Sequence, residues 1–574
     1  MNISPNQVHL ISIRQGLDRT NDIHEGREDV GGKAQGLMSI QQMLARTNPS
    51  DFPGIRIDIP LMTVLGTSVF DVFMERNQLE EVALSNQSND RIGRAFQRAD
   101  MPFEVIGELR NLINQWSFPL AIRSSGLLED TTQRPFAGIY LTKMIPNNSF
   151  DPDIRFEKLI EAIKFVWAST FFKIAKDYCK ATGLNIRDEK MAVIIQETVG
   201  KRNHDRFYPE LSGVARSFNY YPVKPARPED GVVSLALGLG KTIVDGGKSW
   251  TYSPAFPHMP PPFESIEELL NETQNEFWVV NMGEPPEYNP IRETEYMRRE
   301  NLMTAERDGV LHHLASTYDS QSERMSIGTG VRGPRVLSFA PLLVLNDIPF
   351  NYLITQLLSR SKETLGYPVE IEFAMTFEPH RFGLLQVRPM VIPTGNLEVF
   401  PEELTSPQTI IASEVVLGNG ILEDIKDIVY VIPQRFDLKF SKQIAYELEK
   451  YNHKLLALKR PYVLIVFGRL GTLDPWLGIP VTWGQICGAS VIVEATQDNV
   501  KVELSQGSHY FHNIINLGVK YFSMPFTSPY RINWDWLETQ QVEQEANFTR
   551  HVRVPDGLRV KVDGRSGWGV IVQG

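Results

Sequence analysis

The chain has 574 residues, 42% of them hydrophobic, which gives room for three or more domains with proper cores and excludes a disordered or fibrous protein. Its net charge is −11 and its basic residues are scattered singly or in pairs, so no stripe tracks a phosphate backbone and no nucleic-acid partner is expected. The two cysteines, Cys179 and Cys487, fit neither a disulfide framework nor a zinc site, and no leader or apolar run of about eighteen residues appears, so the expected compartment is cytoplasmic with no membrane contact.

In chain order, "GGKAQGLMSIQQMLART" (31–47) places Leu37, Ile40 and Leu44 at helical spacing behind a glycine pair, which puts Lys33 at a helix start. The segment "AIRSSGLLEDTTQRPFAGIY" (121–140) predicts a strand that ends before Arg123 and presents a guanidinium and hydroxyls at its carboxyl end. Residues 153–181 read as one long buried helix. Strand-like runs follow at 191–199, 211–221 and 231–247, and helices followed by strands suggest an α+β ligand-binding unit. A polar, proline-bearing surface excursion is expected at 253–292 and a helix at 300–317. The alternation of Val369, Ile371 and Phe373 against Glu370 and Glu372, then a turn at 378–380, predicts a hairpin over 368–391 with its polar groups to one side.

Three groups of residues carry chemistry. Arg123 offers bidentate donors suited to phosphate oxygens, although a helix cap with a surface arginine explains the same letters. Glu370, Glu372 and Gln386 are oxygen donors of the kind Mg²⁺ takes jointly with nucleotide phosphates, and Arg388 shares the face of Gln386. The plain alternative is a solvated strand face. Lys33 at a helix start is a third anion-binding candidate. "LGLGKT" (237–242) lacks the spacing of a phosphate-binding P-loop.

In that order, "VGGKAQGL", the 121–140 segment and "EIEFAMTF…FGLLQVRPM" resemble the ATP-binding domain of the phosphoenolpyruvate synthase and pyruvate phosphate dikinase family. The resemblance covers residues 28–392 and implies a bilobal ATP-grasp fold clamping Mg-ATP, after an N-terminal extension (1–27). It implies that Lys33 and Arg123 touch the nucleotide phosphates and that the loop at Phe136, Ala137 and Gly138 covers them. It further implies that Gln196 and Glu197 line the adenine hinge, that Glu372 and Gln386 hold Mg²⁺, and that Arg388 stabilises the transferred phosphoryl group. Lys241 stands where the family's synthase-like turn carries glutamate, a change that alters either phosphate chemistry or local packing.

After a linker (393–408), residues 409–574 are expected to form a separate α/β domain. They lack the family's Gly-Gly-x-Thr-x-His-Ala signature and its barrel, so synthesis of phosphoenolpyruvate unaided is not expected. The run 462–495 reads as two buried strands around a loop with Arg469 and Asp474, a plausible pocket wall. His509 and His512 lie at an expected helix start, so His509 is either a phosphoacceptor or an ordinary polar residue. The preferred function is an ATP-dependent phosphotransferase acting on an unidentified acceptor, a small molecule or a protein histidine. The alternatives are a catalytically silent ATP-binding regulatory module and one subunit of a split synthase-like system.

Overall fold

The computed structural model describes residues 9–12, 30–45, 51–52, 54–129, 138–220, 222–261, 263, 265–285, 287–390, 392, 397–472, 478–497, 518–564 and 566–574. Phe136, Ala137, Asp474, His509 and His512 lie outside these residues. The protein is mixed α and β, and its chain forms two compact units. One comprises Met1–Lys176, Asn185–Asn219 and Lys224–Met390; the other comprises Asp177–Leu184, Tyr220–Val223 and Val391–Gly574. Among the described residues no helix is long and apolar enough to cross a membrane.

The first unit is built on two principal sheets. Its elements begin with β1 (His9–Ile11), α1 (Gly31–Ala45), β2 (Arg56–Asp58), β3 (Met62–Leu65), β4 (Leu120–Gly126), β5 (Lys143–Ile145), α2 (Pro152–Ser169) and β6 (Met191–Glu197). They continue with β7 (Leu211–Arg216), β8 (Val232–Ala236), β9 (Trp250–Tyr252), α3 (Phe350–Leu365), β10 (Val369–Phe377) and β11 (His380–Pro389). The first sheet has the order β1-β3-β6-β4-β5 and the second β9-β8-β7-β10-β11-β2.

The β6 run Met191-Ala-Val-Ile-Ile195 is wholly buried, as a strand covered on both faces requires. The α2 helix starts where Asp151 accepts a hydrogen bond from the Asp153 amide and Pro152 supplies a first-turn φ, and its Trp167 indole donates to the Met191 carbonyl at 3.1 Å. On the second sheet, α3 packs Leu353, Ile354 and Leu357 over Ile371, Phe373 and Val387.

Helix α1 serves both sheets. Its Ala34 and Leu37 join the core of Met62, Val64, Ala192 and Ile194, whereas Ile40 joins the core of the second sheet. Two glycines permit this approach. A Cβ on Gly31, whose φ is +71°, would lie 1.8 Å from the Ser125 carbonyl oxygen, and one on Gly36 would lie 2.3 Å from that of Val387.

Four local expectations differ from the structure. Strand β4 continues through Arg123 to Gly126, because the whole stretch pairs with β6, from Leu120 opposite Glu197 to Gly126 opposite Met191. The long helix breaks after Ser169 and resumes at Lys173–Thr182; the break seats Phe171 on Phe70 and Phe96, and Phe172 on Phe165. The 253–292 segment holds a helix, Ile266–Glu272, and a strand, Glu276–Asn281, whose Phe277 and Val279 are buried beneath polar flanks. The helix expected over 300–317 shortens to Leu302–Arg307, capped by Asn301 and ended at Asp308-Gly309, where Gly309 has φ +78°.

The second unit carries a nine-stranded sheet. Its elements include β12 (Thr409–Ser413), β13 (Val416–Leu417), β14 (Gly420–Val431), α4 (Ser441–Ala457), β15 (Tyr462–Phe467), β16 (Ala489–Ala495), β17 (Lys520–Met524), β18 (Thr549–Asp563) and β19 (Trp568–Gln573). The order is β12-β19-β18-β14-β15-β16-β17-β13, with Gln541–Glu545 added beside β18. Strands β14, β15, β16 and β17 are mutually parallel. Ahead of the sheet, within the segment read as a linker, Pro401–Leu404 form a helical turn, and Val399 and Leu404 pack on Ala412 and Val570. The strand run at 462–467 ends at Gly468, whose amide donates to Ala495. Glu494, fully buried, accepts from the Leu470 amide and the Tyr521 hydroxyl.

Candidate functional site

The site grows from one arginine between two sheets. Arg123 lies opposite Ile194 across β4 and β6, and Gln196, two residues on, shares its face. Its Nη1 donates to Gln196 Oε1 at 3.1 Å and to the Leu385 carbonyl at 2.5 Å, while Nη2 donates to Gln386 Oε1 at 2.8 Å and to Glu372 Oε2 at 3.3 Å. The guanidinium therefore leaves the first sheet and ends on β10 and β11 of the second.

The receiving face follows from strand register. Glu372 stands opposite Gln386 and Glu370 opposite Arg388, so all four polar side chains share one face while Val369, Ile371 and Phe373 enter the core. Glu370 also stands opposite Arg216 of β7. The Arg216 Nε donates to Glu370 Oε2 at 2.5 Å, and Arg388 donates through Nε at 2.8 Å and through Nη2 to Oε1. All three residues are buried, and a buried carboxylate between two guanidiniums is a paired charge.

At the amino end of α1, Lys33 Nζ donates to Glu129 Oε1 at 2.7 Å and to Ser124 Oγ at 3.1 Å. Glu129 is fully buried and also accepts from Ser124 Oγ at 3.0 Å and from the Gly126 amide at 2.8 Å. Ser125 fastens strand to helix, donating to the Val30 carbonyl and accepting from the Ala34 amide. Behind Gly126 lies Glu189, whose Oε1 would be 2.5 Å from a Cβ placed there. Burial first, and then the Glu129 carboxylate, push the Glu189 acid up to about 8, against smaller opposing effects from Tyr140 and the Leu127 and Leu128 backbone.

The two residues expected at the adenine hinge part company. Gln196 is 1% exposed, its Oε1 is taken by Arg123, and its Nε2 has no hydrogen-bond partner among the described residues. Glu197 is engaged in structure: Arg381 of β11 holds it bidentately at 2.5 and 2.8 Å, Arg381 Nε also reaches Asp58, and Glu197 accepts from the Leu61 amide. A second arginine thus ties the same two sheets together, in the opposite direction from Arg123.

Residues 27–396 match the model of the pyruvate phosphate dikinase AMP/ATP-binding domain. The chain belongs to that family. Over 224 residues it is 26% identical to rifampicin phosphotransferase of Streptomyces sviceus, covering 38% of this chain and 23% of that protein. Over 182 residues it is 28% identical to phosphoenolpyruvate synthase of Aeropyrum pernix, covering 29% of this chain and 20% of that one. The matches thus span less than a quarter of either curated relative.

Within this dikinase-type domain the structure brings Arg123 into contact with Gln196, Glu372 and Gln386 and sets Arg388 beside Gln386 on its strand face, while Lys33 contacts Glu129 and Ser124, the residue after Arg123. Gly138 is described, with φ +65°, immediately after a segment outside the described residues. The sequence reading missed Glu129, Arg216, Arg381 and Glu189. The letters "LLED" gave one signal for Glu129, an acid beside the serines, but its partner Lys33 lies 96 positions away. Lys241 bonds Asp245 at 3.1 Å and Glu293 at 3.2 Å; burial draws its ammonium down, and Glu293 with Asp245 outweigh that and hold it above the ordinary lysine range.

Lys33, Arg123, Arg216 and Arg388 are each paired with a carboxylate, those of Glu129, Glu372 and Glu370. Such a set suits a polyanion whose phosphate oxygens replace carboxylate oxygens one for one.

Proposed function

We propose that residues 28–392 form a bilobal ATP-grasp domain that binds Mg-ATP where Arg123 meets Glu372 and Gln386, and that the protein transfers a phosphoryl group to an acceptor. The observation that carries this reading is the convergence of Arg123 with Glu372 and Gln386, and of Arg388 on the same strand face, at a junction of two sheets in a chain of the AMP/ATP-binding family. Lys33 and Arg123 bind the phosphates, the segment at Phe136, Ala137 and Gly138 covers them, and Gln196 and Glu197 border the adenine. The buried, unsatisfied Gln196 Nε2 supports this, since it offers a donor to a ring nitrogen. The Arg381 and Leu61 contacts of Glu197 favour a supporting role for that residue.

The donor set fits magnesium. Glu372 and Gln386 present hard oxygens opposite one another, and a cationic guanidinium already rests on both. Bound there, Mg²⁺ would neutralise charge on the phosphate oxygens. Arg388 then faces the transferred group, because phosphoryl transfer is governed by positioning and electrostatics. The ion pairs of Lys241 support the reading that this departure is one of local packing.

The acceptor is a small molecule or a protein histidine, with His509 of the C-terminal α/β domain (409–574) the internal candidate. The test uses the full chain with Mg²⁺ and ATP labelled at the β-phosphate. AMP together with acid-labile label on the chain supports dikinase-type transfer, and loss of that label in His509→Asn assigns the acceptor. ATP binding without AMP, ADP or label, in the presence of a cell extract supplying acceptors, would replace this reading with the regulatory module.

A further inference from the structure

The carboxylate of Glu370 accepts from two arginines. Oε2 takes Arg216 and Oε1 takes Arg388, and strand register makes both guanidiniums direct cross-strand neighbours of the acid. Burial makes this pairing consequential. Glu370 is 2% exposed, so removal of a sole counter-ion would strand a charge in a low-dielectric site. With two counter-ions, either can leave while the carboxylate stays paired.

The two arginines are not equivalent. Arg388 shares a strand face with Gln386, the residue that receives Arg123, and so borders the oxygen-donor pair. Arg216 ends β7 on the far side of Glu370, and its neighbour opposite Glu372 is the apolar Val214. Arg388 therefore lies on the side of the Arg123 junction, and Arg216 on the side away from it.

Resting on the nucleotide reading above, we infer that Arg216 is a positioning residue: it remains as the resident counter-ion of Glu370 and so releases Arg388 to a phosphate oxygen of the bound nucleotide. Arg216 does not touch the ligand. It lowers the electrostatic cost of exchanging the Arg388 partner from carboxylate to phosphate.

The test is calorimetric titration of the full chain with Mg-ATP and, separately, with adenosine, which lacks phosphates. Arg216→Met is expected to weaken Mg-ATP binding by about tenfold or more with adenosine binding unmoved, and Arg216→Lys, which keeps the charge, is expected to restore most of the affinity. Glu370→Gln, whose amide needs no counter-ion, is expected to bind Mg-ATP more tightly than the wild type. This last variant decides the matter if Arg216→Met fails to fold.

Unchanged Mg-ATP affinity in Arg216→Met would overturn the inference. Equal losses for both ligands would do so too, since they would mark a merely structural arginine, as would about tenfold weaker Mg-ATP binding in Glu370→Gln. A wild-type chain that binds no Mg-ATP would defeat the nucleotide reading and this inference with it. Wild-type binding with an indifferent Arg216→Met defeats this inference alone.

Discussion

Arg123 Nη2 lies 2.8 Å from Gln386 Oε1, although Arg123 belongs to a sheet built from β1, β3, β4, β5 and β6 and Gln386 to the other principal sheet of the same unit. A residue bridging two sheets through a single flexible side chain can exchange that bridge for a ligand without disturbing either sheet. Under the proposed function, the same side chain ties the two sheets without nucleotide and binds phosphate with it.

The Lys33 and Glu129 pair separates stability from binding. Lys33→Met leaves the fully buried Glu129 without its cation and should cost about 3–5 kcal/mol of unfolding free energy, along with most of the Mg-ATP affinity. In Lys33→Met/Glu129→Gln the stability should largely return and the affinity should not. Denaturant unfolding and calorimetry on both variants make the check; recovery of binding along with stability would remove Lys33 from the phosphate site.

Glu189 gives the fold a pH dependence whose sign can be worked out. Its folded-state acidity is displaced from an ordinary 4.5 to about 8, so between those values the folded state holds a proton that the unfolded state has released. The stability this contributes is complete below pH 4.5 and is lost as pH rises through 8. Glu189→Gln should therefore melt higher than the wild type at pH 8.5 and close to it at pH 5. Parallel melting curves for the two proteins across that range would show that the acid does not titrate as stated.

Placing at position 241 the glutamate that the resemblance implies should harm rather than help. Lys241→Glu places three carboxylates together with Asp245 and Glu293, and like charges so close should cost on the order of 1–3 kcal/mol. The expected result is a melting temperature lower by several degrees and no gain in Mg-ATP affinity. A higher melting temperature, or tighter binding, would mean that Lys241 disables the site.

The parts of the site carried by local pattern were legible in the letters. Alternation over 368–391 gave the hairpin and its polar face, and the glycine pair gave the start of α1, because period and turn chemistry act over a few residues. The extent of β4 was not legible, since Ser124, Ser125 and Gly126 read as a loop until β6 pairs with them. Nor were the partners that set each charge. Arg216 meets Glu370 across 154 positions and Arg381 meets Glu197 across 184, and only the folded sheets bring those residues together. Proline-bearing flanks likewise hid the Glu276–Asn281 strand, whose Phe277 packs on Tyr208 and whose Val280 pairs with Phe207, residues far off in the chain.

The most direct test of the central claim is calorimetric titration of the full chain with ATP, with and without Mg²⁺, alongside Arg123→Met and Glu372→Gln. The account predicts Mg²⁺-dependent binding by the wild type, weakened by about tenfold or more in Arg123→Met, and loss of the Mg²⁺ dependence in Glu372→Gln. Binding that ignores both substitutions, or a wild type that binds no ATP at all, would contradict a nucleotide site where Arg123 meets Glu372 and Gln386.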